Sequence, residues 1–539
     1  MNGNSKNGSP LIYMGVKNLR ILRKTPLIPL RPIMLLLGRN SAGKSTFLRS
    51  MLLIRQSLQA KSSAPILWFG EHVDFGDFES AVTNNNLSDE IVFSFRIKNL
   101  GLDENGLDAF ASKRNFRVES IKFIDELFID YHISGNGDET FRSKIVVKVP
   151  SESIDCSVVF ENGKFVRFSS EHDGHLDIHR EDFKVNFFSA HIFSDPVFTT
   201  RRRPDSSYRF RIVSRRLEIL KAIAKLLKPK VRSNLSRLTI LEESGRIISY
   251  SNMSYEALHS LSHARTVSFQ KFYANMLNKI DGDVVKSINL YCKLRRVMDL
   301  IEGAGGALSF YFLNFGYIEP ARVRTERYYR LQELSVSQID SDGRNLPMFL
   351  AALRKQGLRD FSDWVRGIFG YGVDIKRTRG HISIEMISNK KSVNITDTGY
   401  GVSQLLPILA QVWSAMDANW RKNRRRAVYK GGSITLAIEQ PELHLHPAHQ
   451  ALLADVFSSS SSAGGDGGRA DGNSFVIETH SEALVNRFGE LVSSGQVLSS
   501  EIEIVIFDLD DIGDLRVSIS NYDNNGVLEN WPFGFFNYD

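Results

Sequence analysis

Lys44 and Ser45 are the residues of this chain whose setting most clearly suggests chemistry, because they close a segment that fits the phosphate-loop pattern G-x-x-x-x-G-K-[ST]. Glycines let such a loop wrap closely around an anion, and its backbone N–H groups then point at phosphate oxygens. The lysine reaches the terminal phosphates, and the serine hydroxyl can ligate Mg²⁺. The pattern therefore predicts a nucleotide site formed by Gly38, Arg39, Asn40, Ser41, Ala42, Gly43, Lys44, Ser45 and Thr46.

Glu439 ends a second stretch that suggests chemistry, the apolar run 434–438. A carboxylate at the C-terminal edge of a parallel strand would face the phosphate loop and help to hold Mg²⁺, usually through water. The residue that follows is Gln440, and a neutral amide cannot accept a proton from water, although it can orient a water molecule. Glu442 is the nearest alternative acid, and it can act either as the base or as a loop residue that holds the turn. We expect hydrolysis at this site to be slow or gated.

Histidines follow two of the predicted buried strands. His480 lies in SFVIETHSEALVNRF (474–488), which is typical of a buried strand that ends in polar residues and leads into a helix, and we predict that its ring contacts a γ-phosphate. His444, His446 and His449 lie in the loop after the Glu–Gln pair, but neither clustered cysteines nor a suitable spacing completes a zinc site. We therefore expect these three histidines to shape the loop.

The elements that must position these residues follow from the hydrophobic pattern. A strand, a loop and a helix are predicted over 11–60, short strands with turn signals over 65–195, helices over 205–300, and alternating strands and helices from 308 onward. The pattern predicts an α/β protein with an inserted β-rich lobe and a helical arm. The predicted domains are 1–64 (first part of the nucleotide-binding head), 65–204 (β-rich lobe), 205–305 (helical arm) and 306–539 (second part of the head).

Composition limits the class of protein. The chain has 539 residues, of which 42% are hydrophobic and 24% are charged, as in globular proteins. Its formal net charge of +7 permits a nucleic-acid or acidic partner without requiring one. The basic clusters 201–203 and 421–426 are either solvated faces or contact surfaces. Two distant cysteines, a polar N-terminus and the lack of an apolar run of about 20 residues predict a soluble, cytoplasmic protein.

Four segments together resemble the ATP-binding cassette heads of SMC-like and overcoming-lysogenization-defect (OLD-like) ATPases. GRNSAGKST corresponds to the Walker A loop, DTGYGVSQ (397–404) to the signature segment, LAIEQPELHLHP (436–447) to Walker B with the D-loop, and ETHS (478–481) to the histidine switch. A bacterial subfamily, the PtuA-type ATPases of Septu anti-phage systems and of some retrons, is similar in three further segments. These are YIEPARVRTERYY (317–329), SDGRNLP (341–347) and WPFGFFNYD (531–539).

The resemblance implies an ABC-type (SMC/OLD-like) ATPase head with a mixed sheet and central helices. Such a head binds ATP and Mg²⁺ and forms a head-to-head homodimer or a higher oligomer. Lys44, Ser45 and Glu439 would bind ATP–Mg²⁺ in one subunit. Ser403 would contact the γ-phosphate that the other subunit holds, and Gln404 belongs to the same signature segment. Each nucleotide would then lie between two copies of the chain.

The same resemblance assigns roles at the γ-phosphate. His480 would sense that phosphate. Cassette ATPases usually carry the catalytic glutamate at the position of Gln440, so the resemblance implies an ATPase whose turnover is slow. Glu442 stays the alternative acid.

The resemblance also implies partners. OLD-like nucleases continue after the histidine switch into a TOPRIM domain with a D-x-D pair. The segment FDLDDIGDLRVSIS (507–520) contains Asp508 and Asp510 at this spacing, but its pattern favours a strand, a turn and a second strand. We therefore expect no nuclease in cis, a separate HNH nuclease (PtuB-like) as partner, nucleic acid near the complex and no membrane. A reverse transcriptase with its msDNA would join the complex if the chain is retron-encoded.

Two alternatives remain open. The first is an SMC-like DNA-binding clamp or repair ATPase, which would need long coiled coils that the helical region does not show as sustained heptads. The second is an OLD-like nuclease.

Overall fold

The structure is a computed structural model that describes residues 10–60, 62–103, 121–137, 139–162, 164–171, 177–179, 185–187, 191–194, 196–198, 219–232, 234–250, 253–264, 266–279, 282–332, 336, 339–388, 391–416, 434–461, 473–510 and 514–532. The chain divides into two compact units. The first unit comprises residues 1–20 and 56–310, and the second comprises 21–55 and 311–539.

The first unit is built on an antiparallel sheet. In the order in which they hydrogen-bond, its strands are β10 (Asp177–His179), β9 (Lys164–Ser170), β8 (Ile154–Glu161), β7 (Thr140–Val149), β6 (Ile121–Gly135), β5 (Ile91–Asp103) and β1 (Leu11–Leu19). Two further strands, β11 (Val185–Phe187) and β12 (Pro196–Phe198), pair with each other in antiparallel orientation.

Alternating apolar and polar residues explain why these segments form strands with one buried face. In β8, Ile154, Cys156, Val158 and Phe160 are buried, and the residues between them are partly exposed. This is the two-residue period of a strand with one face against the core. The strands predicted for this region are therefore present in the structure, but β5, β6 and β7 are longer than the short strands that we expected, with 13, 15 and 10 residues.

Helices account for much of the rest of the first unit. They are α2 (Phe78–Ala81), α3 (219–227), α4 (Arg237–Ile248), α5 (Tyr255–Leu261), α6 (Val267–Leu277) and α7 (Asp283–Leu313), the last of which continues into the second unit. Serine hydroxyl groups cap the starts of two of them. Ser236 accepts the N–H of Thr239 at 3.0 Å, and Ser254 accepts that of Ala257 at 3.2 Å.

The second unit contains a mixed sheet around β4 (Ile33–Gly38), all of whose residues are buried. The strands hydrogen-bond in the order β13 (Phe315–Ile318), β18 (Thr435–Glu439), β19 (Ser474–Glu478), β4, β20 (Ile502–Leu509), β21 (Leu515–Tyr522) and β22 (Leu528–Glu529). From β13 to β20 neighbouring strands are parallel, whereas β21 and β22 are antiparallel to their neighbours. Parallel strands buried on both faces consist of continuous apolar runs, which explains the runs in the sequence.

Helices and short strands complete the second unit. The helices are α1 (Lys44–Gln59, which extends into the first unit), α8 (Leu346–Ala352), α9 (Lys355–Phe369), α10 (Tyr400–Met416), α11 (Pro447–Ser460) and α12 (Glu482–Ser493). The remaining strands are β2 (Leu22–Lys24), β3 (Ile28–Pro29), β14 (Tyr329–Arg330), β15 (Gly372–Thr378), β16 (His381–Ser388) and β17 (Lys391–Asn394).

Apolar side chains from the central sheet and its helices form one buried cluster. Phe361 of α9 packs against Trp413 of α10, with ring centroids 5.5 Å apart. Phe457 of α11 packs against Phe475 of β19 at 5.1 Å. Packing of helices on a sheet buries the apolar runs and fixes the carboxyl ends of the strands. The structure confirms the predicted α/β fold with a mixed sheet and helices.

The two strands predicted within 507–520 are also confirmed, because β20 and β21 pair in antiparallel orientation, whereas residues 511–513 between them lie outside the described residues. The basic clusters 201–203 and 421–426 and most of the segment 531–539 lie outside the described residues. Of the helices that the structure describes, none is both long enough and apolar enough to cross a bilayer.

Candidate functional site

The phosphate loop joins β4 to α1 and depends on glycine at two positions. Gly38 has a φ of 145°, and a Cβ there would lie 2.0 Å from the carbonyl oxygen of Phe507. Gly43 has a φ of 97°, and a Cβ there would lie 2.8 Å from a methyl group of Leu22. Only glycine allows the backbone to take this path at these two positions.

Lys44 begins α1 and is buried, with only 3% of the residue exposed. Its ammonium group donates to the carbonyl oxygens of Gly38 at 2.9 Å and Arg39 at 2.7 Å. Burial lowers the pKa of Lys44, and the negative charges of Glu478 and Glu442 oppose that effect. The cation is therefore held inside the loop that the sequence predicts to bind phosphate.

The other predicted loop residues differ in their exposure. Arg39, Asn40 and Ser41 are exposed, Ala42 is buried and Thr46 is partly buried. A ligand from solvent can therefore reach the tip of the loop, while the base of the loop belongs to the core.

Two carboxylates meet at the carboxyl end of the central sheet. Glu439 ends β18 and Glu478 ends β19, and the register of these parallel strands pairs the two residues. Glu478 lies beside the phosphate loop, because the hydroxyl group of Ser45 donates to its Oε1 at 2.8 Å. We predicted a role for Glu439 and missed Glu478. Both carry the same signal, which is an acid at the end of a buried apolar strand.

The carboxyl group of Glu478 has unusual surroundings. Only 4% of the residue is exposed, and its Oε2 has no hydrogen-bond partner among the described residues. Burial and then the charge of Glu439 raise the pKa of Glu478 to about 7, against the opposing effects of Ser45, Lys44 and Arg49. A buried carboxyl group with a strongly raised pKa is a candidate for function.

Glu439 is bound by two side chains of its own unit. Arg49 donates from Nε to Oε1 and from Nη2 to Oε2, both at 2.8 Å, and the hydroxyl group of Tyr317 donates to Oε1 at 2.9 Å. The hydrogen bond with Glu439 raises the pKa of Arg49, and burial raises the pKa of Tyr317. Both oxygens of this predicted magnesium ligand are thus engaged by protein groups.

Gln440 has a constrained backbone. Its φ is 45°, in the left-handed region, and its N–H donates to the carbonyl oxygen of Glu478 at 2.8 Å. The buried guanidinium of Arg322 donates from Nη2 to the carbonyl oxygen of Glu439 at 3.1 Å, and burial lowers the pKa of Arg322 to about 10. These contacts fix the backbone that carries the Glu–Gln pair.

Glu442 holds the segment that carries His480. Its Oε2 accepts from the hydroxyl group of Thr479 at 2.8 Å, and its Oε1 accepts from the backbone N–H of His480 at 2.7 Å. Burial raises the pKa of Glu442, although the hydrogen bond from His480 opposes this effect. Of the two roles that the sequence left open for Glu442, the geometry favours the one that holds the turn.

The ring of His480 has one buried nitrogen, Nε2, that no described residue contacts by a hydrogen bond. Burial lowers the pKa of His480, and the positive charge of Lys44 lowers it further. The contact of this ring with a γ-phosphate stays a prediction.

The signature residues Ser403 and Gln404 lie in the first turns of α10, and each is 2% exposed. The hydroxyl group of Ser403 donates to the carbonyl oxygen of Tyr400 at 2.6 Å. The side-chain amide of Gln404 donates to the carbonyl oxygen of Arg322 at 3.4 Å. Both side chains are engaged within their own chain, so a contact with the phosphate of another subunit stays a prediction.

The start of α10 packs against the loop that follows Glu439. A Cβ on Gly401 would lie 2.6 Å from the carbonyl oxygen of His444, so a side chain there would separate the two segments. The rings of Tyr400 and His444 also contact each other, with centroids 4.8 Å apart. The signature segment and the loop after β18 are therefore in direct contact.

The other histidines of that loop contribute to packing and capping. His446 accepts the backbone N–H of Ala448 at 3.2 Å through its Nδ1 and so caps α11. His449 packs against Phe369, with ring centroids 5.9 Å apart. These contacts give the histidines the loop-shaping role that we predicted for them.

The groups around the phosphate loop fit a magnesium–nucleotide complex. Mg²⁺ keeps several waters and takes one or two protein ligands together with phosphate oxygens, so it needs no dedicated protein cage. Among the described residues, no group of three or more His, Cys, Asp or Glu side chains could hold a metal ion. Ser45 offers a hydroxyl group, and Lys44 offers a cation for phosphate. Glu478 offers a buried carboxylate oxygen that has no hydrogen-bond partner among the described residues.

Part of this site lies in a segment that matches a known protein family. Residues 332–485 match the AAA ATPase domain family AAA_15. The segment contains α10, β18 and β19, and with them Ser403, Glu439 and Glu478, whereas the phosphate loop precedes it.

Among solved structures, the chain is similar to Smc head domains. One is the Pyrococcus furiosus head with an extended coiled coil bound to the C-terminal domain of ScpA (11% identity, 95% of this chain and 96% of that chain covered, TM-score 0.32). Others come from Pyrococcus yayanosii (12%, 96% and 98%, 0.31) and Thermotoga maritima (8%, 95% and 99%, 0.30). No curated protein matches the chain. Because these TM-scores are low, we infer the function from the strand order and the side-chain contacts of the site.

Proposed function

We propose that this chain is an ATPase head that binds ATP with Mg²⁺ and hydrolyses it slowly. The observation that carries the proposal is that Ser45 of the phosphate loop contacts Glu478, the register partner of Glu439, where the parallel strands of the mixed sheet end. Ligands of open α/β sheets bind outside the carboxyl ends of the strands. The match of 332–485 to AAA ATPase domains supports ATP as the nucleotide.

Each residue of the loop has a role that follows from its contacts. Lys44 would exchange the carbonyl oxygens of Gly38 and Arg39 for phosphate oxygens, which are stronger acceptors for a cation. Ser45 would turn its hydroxyl oxygen towards Mg²⁺. The bound metal ion would neutralise charge on the β- and γ-phosphates.

The residues after the two strands explain why turnover should be slow. Gln440 would orient the attacking water, but its amide cannot take the proton. His480 would bind the γ-phosphate through the nitrogen that has no partner among the described residues. Glu442 would keep His480 in place through its bond to the backbone N–H.

Substitution of Lys44 tests the nucleotide site. Lys44→Ala removes charge-assisted hydrogen bonds, so we expect ATP affinity to fall about 10- to 100-fold and hydrolysis to disappear. Binding of a fluorescent ATP analogue and phosphate release measure the two effects. Lys376→Ala, which changes an exposed lysine on β15 of the same unit, is the matched control. A Lys44→Ala protein that binds ATP as tightly as the wild type would refute the proposed site.

We further propose that ATP brings two copies of the chain together, each nucleotide lying between the phosphate loop of one copy and the signature segment of the other. The resemblance of 397–404 to a signature segment supports this arrangement. Ser403 would have to release the carbonyl oxygen of Tyr400 to reach the phosphate of the second copy. Light scattering should show a doubled mass with a non-hydrolysable ATP analogue for the wild type but not for Lys44→Ala.

The complex that we propose around this ATPase is an anti-phage defence complex with a separate HNH nuclease. The support is the sequence resemblance of 317–329, 341–347 and 531–539 to the PtuA-type subfamily, and a reverse transcriptase with its msDNA belongs to the proposal only for a retron-encoded chain. We expect the gene beside that of this chain to encode an HNH nuclease, and co-expression of the two proteins should give a stable complex that protects cells from phage. Phage protection without that nuclease, or DNA cleavage by the purified chain alone, would overturn this part of the proposal.

A further inference from the structure

The residue directly after Glu439 is Gln440, so the proposed ATP site does not have its second acid at that position. The tertiary structure brings another carboxylate to the same edge. Glu478 ends the strand that lies between β18 and β4, and it is the register partner of Glu439. It is therefore closer to the strand of the phosphate loop than Glu439 is.

The contacts of Glu478 point to a ligand. One oxygen accepts the hydroxyl group of Ser45 at 2.8 Å, and the other is buried without a hydrogen-bond partner among the described residues. A buried carboxylate oxygen that lacks a donor costs free energy, so such atoms in native proteins call for an explanation. A cation or a water bound to a cation would supply what this oxygen lacks.

The nearby cations of the chain already have other acceptors. Arg49 forms its two hydrogen bonds with Glu439, and Lys44 donates to carbonyl oxygens of its own loop. Among the described residues no ion pair to Glu478 is formed, although the residue is 4% exposed. The local balance of charge at Glu478 thus favours an added positive charge.

We propose that Glu478 is the second carboxylate of the magnesium site: its Oε1 orients Ser45 towards the ion, and its Oε2 accepts from a water bound to Mg²⁺. The proposal rests on the proposed ATP site and adds a residue to it. The order of the strands explains the arrangement, because β19 is the direct neighbour of β4 while β18 lies one strand further away. The carboxylate pair is thus formed across two strands instead of by two consecutive residues.

Glu478→Gln tests the proposal through metal affinity rather than activity. The amide keeps the size of the side chain and a hydrogen bond to Ser45 but cannot act as a carboxylate. We expect nucleotide binding in EDTA to stay at the wild-type level, and the apparent affinity for Mg²⁺ in the presence of ATP to fall about 10- to 100-fold. Binding of a fluorescent ATP analogue in EDTA measures the nucleotide affinity, and titration of Mg²⁺ against the bound analogue measures the apparent affinity for the ion.

Glu503→Gln is the matched control, because Glu503 is also 4% exposed, lies on β20 beside β4, and ion-pairs with Arg31 away from the loop. It should bind Mg²⁺ as the wild type does. Wild-type Mg²⁺ affinity in Glu478→Gln overturns the inference. A wild type that binds no ATP in either buffer refutes the proposed function instead, so the two failures are distinguishable.

Glu478→Asp gives a second readout if the glutamine variant does not fold. The carboxylate is kept but withdrawn by one methylene group, so a larger ion should bridge the gap better. We expect the variant to lose more affinity for Mg²⁺ than for Mn²⁺. Equal losses for the two ions would mean that Glu478 has only a structural role.

Discussion

Arg49 and Glu439 form a two-point ion pair, with Nε and Nη2 of the guanidinium each 2.8 Å from a different carboxylate oxygen. Arg49 lies one helical turn after Ser45 on α1, so the pair sits at the edge of the phosphate loop. Oε2 of Glu439 accepts only from Nη2 of Arg49, so a water bound to a metal ion would have to share this oxygen with the guanidinium. Because both cations are attracted to the same carboxylate, we expect Arg49 and Mg²⁺ to compete for Glu439.

Arg49→Met should expose that competition. The change leaves a buried carboxylate with Tyr317 as its remaining partner, so we expect a loss of about 1–3 kcal/mol in the free energy of unfolding. Mg²⁺ with a non-hydrolysable ATP analogue should recover more stability in the variant than it adds to the wild type, because the ion supplies the missing charge. Thermal unfolding with and without the nucleotide measures this difference.

A matched control for that experiment is present in the same unit. Arg487 forms an equivalent two-point pair with Asp455, at 3.0 and 2.8 Å, between α12 and α11. Arg487→Met should also lose stability, but the nucleotide should stabilise it no more than it stabilises the wild type. Identical nucleotide effects in the two variants would show that Arg49 does not compete with the metal.

Gln440→Glu asks whether the amide limits turnover. A carboxylate at this position can accept the proton of the attacking water, so we expect the rate of ATP hydrolysis to rise above that of the wild type at saturating ATP. Gln440→Ala, which can neither orient water nor accept a proton, should be slower than the wild type. Phosphate release under single-turnover conditions separates this step from product release. An unchanged rate in Gln440→Glu would mean that another group supplies the base.

Glu442→Gln distinguishes a base from a residue that holds the turn. The amide oxygen can accept from the backbone N–H of His480, but the amide cannot also accept from Thr479, whose hydroxyl group would have to turn and accept from the amide instead. We expect a loss of about 1–3 kcal/mol in the free energy of unfolding and reduced hydrolysis with an unchanged pH profile. If stability stays the same while hydrolysis disappears, Glu442 is the base and our assignment is wrong.

We expect the stability of the protein to depend on pH through Glu503, which lies outside the candidate site. Burial raises the pKa of Glu503 to about 7 from an ordinary value of 4.5, against the opposing charge of Arg31. Because the folded chain binds the proton more tightly, the contribution of Glu503 to stability is complete below pH 4.5 and is lost as the pH rises to about 7. The wild type should therefore lose stability relative to Glu503→Gln over this range.

Unfolding temperatures of the wild type and Glu503→Gln at several pH values test this prediction. Arg31→Met provides a check on the cause, because loss of the nearby cation should raise the pKa of Glu503 further and extend the decline to higher pH. A difference between wild type and Glu503→Gln that does not change with pH would contradict the prediction.

The sequence was sufficient for the parts of the site that are contiguous. The loop Gly38–Ser45 could be recognised because glycines, lysine and serine must stand at fixed spacing to wrap an anion. Continuous apolar runs before Glu439 and Glu478 predicted the buried strands, since parallel strands covered on both faces have no polar side. The sequence could not distinguish the two roles of Glu442. The reason is that the hydroxyl group of Thr479, which donates to its carboxylate, lies in the loop after a different strand.

The sequence by itself determined the phosphate loop and the strands that end in acids, because each of these depends on neighbouring residues. Only the tertiary structure decided that Glu478 faces Ser45, 433 positions away, and that Arg49 binds Glu439, 390 positions away. The physical reason is that burial of the apolar runs sets the order of the strands. That order, which places β19 beside β4 and β18 beyond it, determines which carboxylate reaches the loop.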